Sequence, residues 1–146
     1  MRGACAFSIE QLDSQGRLKK IRRGDDWRRS AHNLATRVQD RPDLDANEDL
    51  ITCCRLLRQV GHHELRIWGQ DRADAYRQLP AKDPNQTVCM IPEEGGISCW
   101  RHHVLPFGST ASVWAYSRVA DFLTYLCRIL LRSTANHYLD DHHGVE

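Results

Sequence analysis

Asn136-His137-Tyr138-Leu139-Asp140-Asp141-His142-His143-Gly144 is the stretch on which the fold turns. The run over 136–141 predicts a strand and His142-His143-Gly144 the turn after it, so two carboxylates would stand at a strand end. A second acidic tip lies upstream. Leu65-Arg66-Ile67-Trp68 alternates apolar and polar residues, which predicts a strand that delivers Asp71 to its end, ahead of Arg72-Ala73-Asp74. Two such tips side by side would repel unless cations lay between them. Carboxylates suit Mg²⁺, and a pair of ions about 3.5–4 Å apart can stabilise both the attacking and the leaving oxygen in phosphoryl transfer. Taken singly, each cluster reads more simply as turn aspartates.

Outward from these tips the chain divides into short elements. Asp45 as N-cap, with Glu48 completing a capping box, opens an amphipathic helix through Leu50, Cys54, Leu57 and Val60, closed by Gly61. Thr87-Val88-Cys89-Met90-Ile91 and Ile97-Ser98-Cys99-Trp100, separated by Pro92-Glu93-Glu94-Gly95-Gly96, predict a hairpin. Val113, Tyr116, Ala120, Leu123, Cys127 and Leu130 step by three and four, so 112–132 predicts the strongest helix. The order helix, strand, hairpin, helix, strand belongs to a mixed α/β or α+β domain.

With 146 residues, 41% of them hydrophobic, the chain is about one domain long and can build a modest core. A net charge of +1 announces no polyanion partner by itself. The distribution is more telling: Arg17, Lys19, Lys20, Arg22, Arg23, Arg28, Arg29 and Arg37 are opposed only by Asp25 and Asp26. No apolar run approaches the ~18 residues of a membrane span, and the first residues lack the apolar segment of a secretory signal, so an intracellular setting, cytoplasm or nucleus, is expected. Six scattered cysteines without a Cys-x-x-Cys pair predict free thiols. The same spacing weighs against zinc at Cys53, Cys54, His62 and His63, or at Cys99, His102 and His103.

Three segments together carry a family resemblance. Asp71-Arg72-Ala73-Asp74-Ala75-Tyr76-Arg77-Gln78-Leu79-Pro80, Leu105-Pro106-Phe107-Gly108-Ser109-Thr110-Ala111-Ser112-Val113 and Tyr138-Leu139-Asp140-Asp141 resemble, in order, the first, second and third catalytic motifs of reverse transcriptases. The match covers about residue 18 to the end, and Phe107 in the second motif is typical of long-terminal-repeat retroelements. RNA-directed RNA polymerases fit less well, since they carry glycine before the paired aspartates.

The resemblance implies an α+β polymerase palm, an antiparallel sheet backed by helices, over 45–146, with partial fingers and the basic segment over 1–44. It implies RNA-directed DNA synthesis by a two-metal mechanism, with Mg²⁺ as the metal and Mn²⁺ as a substitute. Asp71, Asp140 and Asp141 would be the catalytic, metal-holding residues, with the Arg72 carbonyl completing one coordination shell. Tyr76 would be the steric gate against a 2′-hydroxyl, Phe107 and Gly108 the floor under template base and nucleotide, and Arg22 the contact to the triphosphate. The partners implied are dNTP and an RNA or DNA template with its primer, and the remaining arginines would follow template phosphates.

The chain ends soon after the third motif. The expectation is therefore a polyprotein fragment lacking thumb and RNase H regions, weakly stable and with little or no synthesis by itself. The alternative is a degenerate, inactive retroelement remnant that at most binds nucleic acid. A plain interaction module explains neither the motif order nor the aromatic residue, Tyr76, five positions after Asp71 in the first motif.

Overall fold

The computed structural model describes residues 4–37 and 42–146, with the Arg22 side chain outside that description. The chain is α+β, with seven strands, three α-helices and two short 3-10 turns among the described residues. It forms two compact units that interleave in sequence: Met1–Val38 with Tyr76–Val113, and Gln39–Ala75 with Trp114–Glu146.

The first unit is built on a four-stranded sheet of order β2-β1-β4-β5. β1 (Ala4–Leu12) and β2 (Leu18–Asp26) are an antiparallel hairpin that the sequence reading does not anticipate. Its turn is held by the Asp13 carboxylate, which accepts from the N–H groups of Gln15 and Arg17 at 2.8 and 2.9 Å. β1 also pairs in parallel with β4 (Val88–Glu93) through Ala4 opposite Cys89 and Cys5 opposite Met90. β4 and β5 (Gly96–Arg101) form the expected hairpin, Glu93 opposite Gly96 across a two-residue turn. The short helix α1 (His32–Ala35) completes this unit, and its core centres on Ala4, Trp27, Tyr76, Val88 and Cys89.

The second unit holds the three-stranded antiparallel sheet β3-β7-β6. β3 (Ile67–Asp71) ends on Asp71, as expected. Around Tyr138 the structure differs from the expectation: β6 is Asn136–Tyr138, the turn is Leu139-Asp140, and β7 (Asp141–Val145) contains the histidines and glycine assigned to the turn. His142 and Val145 are buried in β7, and that burial holds the segment in the sheet.

α2 (Asn47–Gln59) begins later than predicted. The Asp49 carboxylate accepts from the Ala46 N–H at 2.7 Å, doing what Glu48 was expected to do. Asp45 instead accepts from the His137 N–H at 2.9 Å and lies 3.7 Å from Arg128.

α3 runs Thr110–Leu130. Tyr116 and Ala120 are buried as predicted, but Leu130 is exposed and Ser112, Ser117 and Thr124 are buried in its place. Small side chains on a buried stripe let backbones approach closely, so the helix seats on serine, threonine and alanine rather than on leucine. From the last turn of the helix, Arg128 donates to the Ala135 carbonyl at 2.7 Å and to Asn136 Oδ1 at 2.6 Å, tying α3 to the start of β6. No helix among the described residues is long and apolar enough to cross a membrane.

Candidate active site

In the second unit the β3 tip and the β6–β7 turn are neighbours. Asp71 lies directly opposite Asp141 in the antiparallel register, and the Arg72 N–H donates to the Asp140 carbonyl at 3.3 Å. Directly opposed residues share a face of the sheet, so two carboxylates confront each other across the strand pair. Among the described residues no basic side chain forms an ion pair with Asp71, Asp140 or Asp141. Asp71 and Asp141 are exposed and Asp140 half-buried, so all three can be solvated.

A buried phenol reports their convergence. Tyr116 on α3 is 2% exposed; burial raises its pKa, Arg72 opposes the rise, and the charges of Asp140 and Asp71 add to it. One side chain thus feels carboxylates from both motifs. The turn that joins β6 to β7 and carries Asp140 is strained at Leu139, whose φ is +56°, a region that non-glycine side chains disfavour.

Behind the turn sits a histidine pair that sequence reading missed. His137 Nε2 lies 2.8 Å from Asp121 Oδ1, and its ring stacks on His142 at 5.7 Å. Both rings are buried, and histidines five positions apart in a polar-looking run carry no periodic signal that separates core from surface.

The residues assigned to nucleotide contacts beyond Arg72 fall in the first unit. Tyr76 is 6% exposed and packs edge-on against Phe107, ring centroids 5.1 Å apart at 89°. The Arg77 guanidinium lies 5.2 Å from the centre of the Phe107 ring. Gly108 has φ +79°, and a Cβ there would lie 3.2 Å from the Asp25 carbonyl, so its lack of a side chain is structurally required. Asn33 holds this turn from both sides: its Nδ2 donates to the Gly108 carbonyl at 2.9 Å and its Oδ1 accepts from the Thr110 N–H at 2.9 Å. Arg22 lies in β2 opposite Ile9.

Neither a protein-family model nor a curated protein matches the chain. The functional reading therefore rests on the motifs and on the geometry of each unit.

A fit to hard divalent cations follows from the donor set at the β3 tip, which is carboxylate oxygen throughout. A separate trio of metal-ligating groups in the first unit, Asp25, Cys89 and His102, has its ligand atoms within 4.8 Å of one another.

Proposed function

We propose that this chain is the fingers and palm part of a reverse transcriptase, adding deoxynucleotides to a primer under the direction of an RNA or DNA template. The observation that carries the reading is the register that sets Asp71 opposite Asp141, with Arg72 bonded to Asp140. Opposed like charges destabilise a strand pair, and a site that tolerates them is suited to cations. Asp71, Asp140 and Asp141 would hold two Mg²⁺, with Mn²⁺ as substitute. When bound, such ions activate the primer hydroxyl and neutralise charge on the leaving pyrophosphate.

The other residues bind and orient. Arg22 would donate paired hydrogen bonds to triphosphate oxygens. Phe107, braced by Tyr76 and Arg77, offers a ring for stacking, and Gly108 would lie beside it in the floor under template base and nucleotide. Tyr76 would exclude a ribose 2′-hydroxyl by occupying its space, which selects DNA as product.

Single-nucleotide addition tests this reading. Purified chain in excess over poly(rA)·oligo(dT) ends, with dTTP and Mg²⁺, should add at most a trace of dTMP, in a metal-dependent manner, in keeping with the little synthesis expected of the fragment by itself. Addition that survives Asp140→Asn, or the absence of both addition and metal-dependent dTTP binding, contradicts it. Metal-dependent dTTP binding without addition favours the degenerate remnant.

A further inference from the structure

One cluster in the first unit plays no part in that reading. Asp25 near the end of β2, Cys89 in β4 and His102 just after β5 present an Oδ, an Sγ and an Nε2 that all lie within 4.8 Å of one another. Asp25 is 8% exposed and Cys89 fully buried. β1 runs between β2 and β4, and its residues opposite Asp25 and Cys89 are Ala6 and Ala4. Side chains that small let the carboxylate and the thiol reach each other over the intervening strand.

His102 is strapped in place. Its N–H donates to the Thr87 carbonyl at 3.0 Å, and Thr87 Oγ1 donates to the His102 carbonyl at 2.8 Å. The buried Trp27 ring packs edge-on to the imidazole at 6.1 Å. Strand backbone and these bonds hold all three groups, so they are preorganised.

A cation already occupies the spot. Arg23 Nε lies 3.0 Å from Asp25 Oδ1, and its Nη2 meets Cys89 Sγ and lies 3.4 Å from His102 Nε2. The guanidinium therefore touches all three ligand-bearing side chains. Arg23 belongs to the edge strand β2 and is itself exposed, so it can turn to solvent without moving the sheet.

The charges balance in either state. Arg23 offsets the Asp25 carboxylate, and a divalent ion would offset that carboxylate together with a Cys89 thiolate, freeing His102 Nε2 from its 3.0 Å contact with Asp25 Oδ2. The exchange sends the Cys89 proton and the Arg23 charge to water. One sulfur, one nitrogen and one oxygen donor suit a borderline ion rather than Mg²⁺ or Ca²⁺. The geometry points to a Zn²⁺ site with Asp25, Cys89 and His102 as ligands, an exchangeable fourth position, and Arg23 as the competing internal cation. The site involves none of Asp71, Asp140 and Asp141, although it turns Arg23, one of the arginines expected to follow template phosphates, inward.

Cobalt titration of the metal-free full chain tests the assignment. One equivalent of Co²⁺ should bind with a thiolate-to-cobalt charge-transfer band, be displaced by Zn²⁺, and release about one proton per ion at neutral pH. Cys89→Ser should abolish the band and weaken Zn²⁺ binding by about 100-fold or more, whereas Arg23→Gln should tighten it by about 10-fold. The double variant Cys99→Ser with His103→Ala should change neither. If Cys89→Ser fails to fold by circular dichroism, His102→Gln takes its place, with the same loss of affinity expected. Absence of Co²⁺ uptake, a band that persists in Cys89→Ser, unchanged affinity in the His102 variant, or weaker binding in Arg23→Gln overturns the site.

Discussion

Leu139 is where backbone conformation and chemistry meet. Its φ of +56° sits between Tyr138 and the paired aspartates, in the two-residue turn joining β6 to β7. A left-handed conformation costs an L-residue roughly 1–2 kcal/mol, and a β-branched side chain tolerates it worst. Leu139→Ile keeps the volume and should lower unfolding free energy by about 1 kcal/mol, whereas Leu139→Gly should not lower it; chemical denaturation reads both. An isoleucine variant as stable as the parent would mean that the turn is not left-handed. Asp140→Asn should abolish nucleotide addition while leaving the denaturation midpoint unchanged or raised, because it removes one of three neighbouring negative charges. The acidic residues and the aromatic after them were legible because each motif is local. Asn33 was not, since its bonds to Gly108 and Thr110 span more than seventy positions.

Gly144 shows how tightly β7 packs on β3. A Cβ there would sit 2.6 Å from the Trp68 ring and 2.9 Å from the Thr134 carbonyl, and that carbonyl is backbone and cannot step aside. Gly144→Ala should therefore cost about 1–3 kcal/mol, measured by urea unfolding, and a neutral result would contradict the register of β3 on β7. The β4–β5 hairpin and most of α3 were legible from turn chemistry and helical spacing. The β1–β2 hairpin was hidden by its basic residues, because charge on an edge strand looks like a charge run with no strand beneath it. The Leu139-Asp140 turn was misplaced by three residues for a related reason. Nothing in His142-His143-Gly144 announces that His142 is buried, and glycine in that position reads as a turn until Trp68 is seen covering it.

Across the whole molecule, acid stability should report the buried histidine in the second unit. Burial pushes the His142 pKa below its usual value, and Arg72 and His137 lower it further, against the carbonyls of Asp140 and Ala120. Above the usual value of 6.5 the ring is neutral in folded and unfolded chain alike, and its contribution is complete. As pH falls below 6.5 the unfolded chain takes up the proton first, so stability drops until the lowered folded value is reached. His142→Leu should flatten that drop, and an unchanged slope would assign it elsewhere.

Asp25 acts in a separate window. Burial raises its pKa, but the His102 hydrogen bond and the Arg23 charge more than reverse this, so its contribution is present above 3.8 and lost only as pH falls further. The α+β class was legible from element order, but the interleaving of the two units was not, because unit membership depends on long-range pairing that spacing does not encode.

The central claim is that the β3 tip and the β6–β7 turn together grip divalent cations, and paramagnetic line broadening tests it most directly. Substoichiometric Mn²⁺ should selectively broaden the amide signals of Asp71, Arg72, Asp140 and Asp141, Mg²⁺ should reverse the effect, and Asp140→Asn should remove it. Broadening at only one of the two segments, or at neither, would contradict the claim.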